Sequence, residues 1–77
     1  MTQAVIAEVD ARGLACPLPL LKAKQALRNL AANEVIRVIS TDAGSLRDFV
    51  SFADITGQII DGFYSREQVY YFLIRKQ

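Results

Sequence analysis

The spacing of apolar residues changes along this chain from every second position to a helical period and back again. Residues 4–10 predict a first strand, in which residues 5, 7 and 9 point to one face and residues 4, 6 and 8 to the other. Residues 17–31 predict a helix with one buried stripe, because apolar side chains recur there at the i, i+3 and i+7 positions. Pro17 fits the first helical position and Pro19 the first turn, where the amide hydrogens that proline lacks have no helical partner. The stripe consists of Leu20, Ala23, Leu27 and Leu30.

The middle of the chain predicts a second strand and a second helix. Residues 34–41 are rich in β-branched side chains, which favour strands. The turn TDAGS leads into a helix that either Asp42 or Ser45 could cap, and Gly57 is a typical C-terminal stop. The apolar stripe predicted for this helix consists of Leu46, Phe49, Val50 and Ala53.

The last part of the chain predicts a hairpin. Residues 58–64 and 67–75 have the composition of strands, and a short turn near Ser65 is expected to join them. Residues 69–74 are apolar on both alternations, which indicates a central strand or a second buried face.

The predicted order of elements is therefore β-α-β-α-β-β. Because crossovers between parallel strands are right-handed, both helices are expected on one face of the sheet. The fold class is α/β: a two-layer α/β sandwich whose four-stranded mixed sheet has three parallel strands and one antiparallel strand. Residues 1–77 are expected to form a single domain, and the other sheet face is expected to be open to solvent or to a partner.

Composition and charge argue against several classes of function. Hydrophobic residues make up 52% of the chain, and 9 basic residues nearly balance 8 acidic ones. This balance disfavours a strongly basic nucleic-acid-binding protein and a disordered acidic tail. The first residues lack the features of a secretory signal, and the longest uncharged run, residues 13–21, is much shorter than the roughly 20 residues of a membrane span. We expect neither direct nucleic-acid binding nor membrane insertion.

The cysteine and histidine counts restrict the chemistry further. Cys16 is the only cysteine and the chain has no histidine, so an intrachain disulfide, a CxxC redox pair and a Cys–His catalytic pair are excluded. A zinc site needs about four ligands, so we expect no metal, and we expect no other cofactor. A free thiol favours a reducing compartment, which predicts a cytoplasmic protein.

Cys16 stands at the predicted start of the first helix. The amides of Leu18 and Leu20 have no helical partner there, and the helix dipole adds partial positive charge. These groups would stabilise a thiolate, since helix N-termini can lower a cysteine pKa from near 8.5 to about 3.5–7.5. Gly13 permits a tight turn before the cysteine. The alternative is that Cys16 is a small buried core residue, as lone cysteines often are.

The charges near Cys16 are one-sided in the sequence. Residues 11–33 include no acidic side chain. Arg12 and Lys22 are the best candidates for a positive rim that favours a sulfur anion and docks an acidic partner. Of Asp42 and Asp48, one is interpreted as a helix cap and the other as a surface charge. The basic residues of this segment are Arg12, Lys22, Lys24 and Arg28.

The segment LACPLPLL, which follows DARG, resembles the CPxP signature of the TusA-like (also called SirA-like) sulfur-carrier proteins. The resemblance extends over most of the chain, through EVDARGLACPLPLLKAKQAL, EVIRVISTDAGSLRDFVSF and YYFLIRK. Cys16 is the position that carries over from the motif, and Arg12, Pro17 and Pro19 match its flanks. The chain departs from many relatives at Asn33, where they have glycine.

The resemblance implies a sulfur carrier that accepts sulfane sulfur on Cys16 as a persulfide and relays it to an acceptor protein. It implies a cysteine desulfurase or a rhodanese-like protein as donor and a DsrE-like protein as acceptor, in tRNA thiolation, cofactor sulfuration or sulfur oxidation. Such a sulfurtransferase-type carrier has no independent substrate turnover, so its status as an enzyme stays open. The residues expected to support Cys16 are Arg12, Gly13, Pro17, Leu18, Pro19 and Lys22.

A different class of function also stays open. A non-catalytic protein-interaction or regulatory domain would use the open sheet face and the final hairpin, and Cys16 would then be incidental. A buried Cys16 with an ordinary pKa would favour this alternative, whereas a reachable thiol with a perturbed pKa favours sulfur transfer. RNA binding through the basic first helix is a weaker third hypothesis.

Overall fold

Six elements follow one another in the predicted order in the computed structural model, which describes residues 5–77. Residue 4, the predicted start of the first strand, lies outside the described residues. The strands and helices are β1 (Val5–Ala11), α1 (Leu18–Arg28), β2 (Val35–Ser40), α2 (Ser45–Thr56), β3 (Ile59–Arg66) and β4 (Val69–Arg75).

The sheet has the strand order β1-β2-β4-β3. β1 is parallel to β2, and β4 is antiparallel to both of its neighbours. β1, β2 and β3 therefore run in one direction and β4 in the other, which confirms the mixed sheet that the sequence predicts. β4 lies in the interior of the sheet, which explains why its sequence is apolar on both alternations.

One core lies between the sheet and the two helices. Val38 of β2 pairs with Phe72 of β4, so both side chains point to the same face of the sheet. Both helices contribute to the cluster on this face, which confirms the two-layer sandwich. The buried members of the cluster are Ala11, Ala23, Leu27, Ile36, Val38, Phe49, Phe72 and Ile74.

The helix α1 buries the middle of the predicted stripe, although it begins at Leu18 rather than at Pro17 and ends at Arg28, before Leu30. Ala23 and Leu27 are buried, and Pro19 extends the stripe into the first turn.

Among residues 5–77, neither helix has the length and apolar character of a membrane span.

The helix α2 presents a different stripe from the predicted one. Phe49 is buried, whereas Leu46 and Val50 are 40% and 50% exposed, so their prediction as core residues is wrong. The reason is a buried polar pair, because the hydroxyl oxygens of Ser40 and Ser45 lie 2.6 Å apart under the helix. This hydrogen bond turns Ser45 toward the sheet and its neighbour Leu46 toward solvent.

The hairpin turn lies at Glu67 and Gln68, and its prediction near Ser65 is wrong. β3 continues to Arg66, which pairs with Val69. The two turn residues have φ angles of 53° and 65°, as a type I′ turn requires. The sequence hides this turn because neither residue is a glycine, asparagine or aspartate, the usual signals for positive φ.

Side chains on the sheet face opposite the helices contact one another across the strands. Arg37 Nε donates a hydrogen bond to Glu8 at 2.9 Å. The rings of Tyr64 and Tyr71 stack with their centroids 4.6 Å apart. This face is therefore polar and aromatic where it meets solvent.

We expect Phe72→Ala to destabilise the fold by about 3–5 kcal/mol, the usual cost of removing a large buried aromatic side chain. Phe72 is fully buried, and its ring centroid lies 4.5 Å from that of Phe49 and 5.2 Å from that of Phe63. Urea denaturation measures the change in the free energy of unfolding. Phe63→Ala is the control and should cost less, because Phe63 is 40% exposed. Equal losses for the two variants would contradict this account of the core.

Candidate functional site

A tight turn after β1 brings Cys16 to the carboxyl end of β2. Gly13 has a φ of 80°, in the left-handed region that glycine adopts readily, as its place in the sequence predicts. Its amide donates to the hydroxyl oxygen of Thr41, just beyond β2, at 2.9 Å. The amide of Cys16 donates to Asp42 Oδ2 at 3.0 Å. The turn is thus held to the loop between β2 and α2 by two hydrogen bonds.

The thiol of Cys16 is exposed and lies against the first turn of α2. Its Sγ–H donates a hydrogen bond to Asp48 Oδ2 at 2.6 Å. The alternative that Cys16 is a buried core residue is therefore wrong. A reachable sulfur atom with a carboxylate partner is the central feature of this site.

The pKa of the Cys16 thiol is raised above its ordinary value. The main cause is the hydrogen bond to Asp48, followed by partial desolvation and by the negative charges of Asp48 and Asp42. Arg47 acts in the opposite direction and favours the thiolate. The sequence-based prediction of a lowered pKa is wrong, because two carboxylates distant in the sequence lie near the thiol and disfavour its anion.

One of the two amides predicted to hold a sulfur anion has another partner. The amide of Leu18 donates to the carbonyl of Ala15 at 2.9 Å. Pro17, not Cys16, is the N-cap residue of α1, and the Cys16–Pro17 peptide bond is cis. In the described part of the chain, neither Leu18 nor Leu20 donates to the Cys16 sulfur. The helix therefore begins too late for its first amides to meet the thiol.

The two basic residues predicted at the rim contact Asp10 instead of Cys16. Arg12 Nη2 lies 2.8 Å from Asp10 Oδ2, and hydrogen bonds from Arg12 lower the pKa of Asp10 to about 2. Lys22 Nζ donates to the Asp10 carbonyl oxygen at 3.4 Å. The structure thus groups these two cations around the end of β1, and the cation that favours the Cys16 thiolate is Arg47.

The two helices form a groove beside the thiol. The groove has a volume of about 290 Å³, and its surface is mostly apolar. Asp48 belongs to its lining and also accepts a hydrogen bond from the Cys16 thiol, so this residue links the groove to the sulfur atom. Ile55 stands at its edge with 84% of its surface exposed. The lining residues are Leu20, Lys24, Asp48, Ser51, Phe52, Ile55 and Thr56.

Asp42 and Asp48 are the site residues that sequence reasoning missed. Asp42 caps nothing, because the N-cap of α2 is Gly44 and the Asp42 side chain accepts the Cys16 amide. A signal was present in the segment TDAGSLRD, which follows a strand predicted to lie parallel to β1. The carboxyl ends of neighbouring parallel strands meet at one edge of a sheet, and this places both carboxylates near the residues after β1. Within residues 5–77, no three cysteine or acidic side chains are arranged to hold a metal ion.

We predict that Asp48→Asn lowers the pH at which Cys16 becomes reactive. The thiolate is the nucleophile, so the raised pKa moves the increase in alkylation rate to higher pH, and loss of the carboxylate reverses that shift. The rate of alkylation by iodoacetamide is measured from pH 6 to 11 in steps of about one pH unit. The midpoint of the increase in rate is then compared between the variants. Asp54→Asn, an exposed position on the same helix, is the control and should match the unaltered chain. An unchanged midpoint in Asp48→Asn would contradict the role of the hydrogen bond.

Comparisons with known proteins identify the family of this chain. The sequence model of the family described as sulfurtransferase TusA matches residues 7–76. The chain is 44% identical to the sulfur carrier protein TusA of Allochromatium vinosum over 90% of its own length and 91% of that protein. It is 37% identical to the putative sulfur carrier protein YrkF of Bacillus subtilis over 88% of its length, but it spans only 37% of that protein. The crystal structure of a SirA-like protein from Desulfitobacterium hafniense superposes with a TM-score of 0.81 at 26% identity, over 91% of this chain and 96% of the other. The chain therefore belongs to the TusA family of sulfur carrier proteins.

Proposed function

We propose that Cys16 is the residue on which this sulfur carrier holds the transferred sulfur, in the form of a persulfide. The observation that carries the proposal is the exposed Cys16 thiol, which donates a 2.6 Å hydrogen bond to Asp48, a lining residue of the apolar groove. Cys16 is the only cysteine of the chain, so the persulfide has no other cysteine to form on. We further propose that residues 1–77 act as one carrier domain, which the match over residues 7–76 supports.

Each transfer is a nucleophilic displacement at sulfur. In loading, the Cys16 sulfur attacks the outer sulfur of a donor persulfide, a new S–S bond forms, and the donor thiolate leaves. In unloading, an acceptor thiolate attacks the outer sulfur on Cys16, and the Cys16 thiolate leaves. Neither step needs an oxidant or a reductant, because the sulfane sulfur moves with its oxidation state unchanged.

The residues around Cys16 support the transfer in different ways. Gly13 and Pro19 fix the backbone, one through the left-handed turn and the other through its burial in the core. Pro17 and Leu18 are exposed beside the thiol, where they are available to a partner. The remaining two residues, Arg12 and Lys22, would present positive charge to an acidic partner surface farther from the sulfur.

The partners proposed for this chain are a cysteine desulfurase or a rhodanese-like protein as the donor and a DsrE-like protein as the acceptor. Sulfur carriers of this family act with protein partners, and the apolar groove beside Cys16 offers a surface for such a contact. We place the relay in the cytoplasm, since an exposed free thiol persists in a reducing compartment.

Loading of the protein tests the proposal. After incubation with a cysteine desulfurase and cysteine, intact-mass measurement should show the addition of one sulfur atom, and dithiothreitol should remove it. Cys16→Ser should gain nothing under the same conditions. If Cys16→Ser gained the sulfur equally, or if the unaltered chain gained none, the interaction-domain alternative would be favoured.

The groove gives a second prediction. Ile55→Asp should slow sulfur transfer from the protein donor, because it places a charge at the apolar edge of the groove. The fold should be unaffected, since Ile55 is 84% exposed, and alkylation of Cys16 by iodoacetamide should keep its rate. Tyr64→Ser, on the opposite sheet face, is the control. A larger loss in Tyr64→Ser than in Ile55→Asp would place the donor on the sheet face instead.

A further inference from the structure

The contact between Cys16 and Asp48 joins the reacting atom to a group that can exchange a proton with it. Sγ and Oδ2 lie 2.6 Å apart, within direct reach for proton transfer. The chain has no histidine, so the most common general base of enzymes is missing from its sequence. We propose that Asp48 is a catalytic residue that accepts the Cys16 proton in loading and returns it to the leaving thiolate. This inference rests on the proposed persulfide transfer through Cys16.

The proton and the electrons balance in each direction. In loading, Asp48 takes the Sγ–H proton while Sγ attacks the outer sulfur of a donor persulfide R–S–SH. The donor S–S bond breaks, and its electron pair leaves on the donor thiolate, which takes the proton from Asp48. The products are Cys16–S–SH, the donor thiol and a regenerated Asp48 carboxylate. Unloading is the reverse, with the acceptor thiol in place of the donor.

The other carboxylate at the site is engaged differently. Asp42 Oδ2 accepts the Cys16 amide, and the Asp42 amide donates to Ser40 Oγ at 3.1 Å. Asp42 therefore positions the backbone of Cys16, whereas Asp48 contacts the sulfur itself. The charged groups that also act on this proton are Asp42 and Arg47, and Lys24 lines the same groove as Asp48.

The fold keeps Asp48 in place for this role. Asp48 directly precedes Phe49, which is fully buried with its ring centroid 4.5 Å from that of Phe72. Asp48 itself is half-buried and lines the groove between the two helices. The packing of Phe49 thus positions the backbone of Asp48, while its carboxylate stays partly exposed to an incoming sulfur atom.

A purely electrostatic carboxylate and a proton-transferring one predict opposite results for the same variant. The negative charge of Asp48 holds Cys16 in its thiol form, so removing that charge increases the thiolate fraction at neutral pH. If that were its whole effect, Asp48→Asn would accept sulfur faster. If Asp48 transfers the proton, Asp48→Asn accepts sulfur more slowly although its thiol is more acidic.

The test compares two reactions of the same protein at pH 7. Glutathione persulfide serves as a small donor that needs no protein docking, and the loading rate is followed by intact mass. Asp48→Asn should load about 100-fold more slowly, at the low end of the effect of general acid–base catalysis, yet react faster with iodoacetamide. Asp48→Glu should recover part of the loading rate, and Asp54→Asn should keep it in full.

The outcomes separate this inference from the proposed function. If the unaltered chain loads on Cys16 and Asp48→Asn loads as fast or faster, proton transfer by Asp48 is overturned and persulfide carriage stands. If the unaltered chain does not load, both are overturned. If urea denaturation shows that Asp48→Asn is strongly destabilised, the loading rates of Asp48→Glu and Asp48→Ala are compared instead. Equal loading rates for those two variants would overturn the role of the carboxylate.

Discussion

The packing of Phe49 against Phe72 connects the core of this protein to its chemistry. Phe72 lies on the interior strand β4, and Phe49 brings α2 down onto it. Asp48 precedes Phe49 in the helix, so the aromatic contact fixes the carboxylate that meets the Cys16 thiol. The buried hydroxyl pair of Ser40 and Ser45 fixes the start of the same helix. The position of a surface hydrogen bond thus depends on side chains that solvent does not reach.

The turn before α1 completes this arrangement from the other side. The amide of Gly13 is tied to Thr41, and that of Cys16 to Asp42, so the cysteine is fixed to the segment that starts α2. Apolar packing therefore positions Asp48, and backbone hydrogen bonds position Cys16. Rigidity on both sides lets the thiol stay exposed without losing its partner.

Local spacing was sufficient to predict most of the fold. The order of elements and the interior place of β4 follow from apolar periodicity, because each depends on residues close together in the chain. The exposure of Leu46 and Val50 could not be predicted in this way, since it results from a buried polar pair that an apolar pattern does not encode. The turn at Glu67 and Gln68 was not predicted for a related reason. Pairing of the flanking strands imposes a positive φ on two residues whose side chains do not favour it.

The sequence predicts where the site lies but not which charged groups surround the thiol. The sequence directs attention to Cys16 and its turn, and the structure finds that thiol exposed. The rule that helix starts acidify cysteines failed because Asp42 and Asp48, 26 and 32 residues away in sequence, are brought to the sulfur by the parallel pairing of β1 and β2. Asn33 has a φ of 73°, in the left-handed region that glycine adopts readily, which fits the glycine that the resemblance implies at this position.

The hydrogen bond from the thiol to Asp48 also bears on how the carrier survives between turnovers. Peroxides oxidise thiolates in preference to thiols, and the sulfenic acid formed can proceed to forms that the cell cannot reduce. A cysteine that must be exposed to exchange sulfur would be vulnerable to this damage if it rested as an anion. If Cys16 carries the sulfur as we propose, the carboxylate that holds its proton would make the empty carrier a slower target for peroxides.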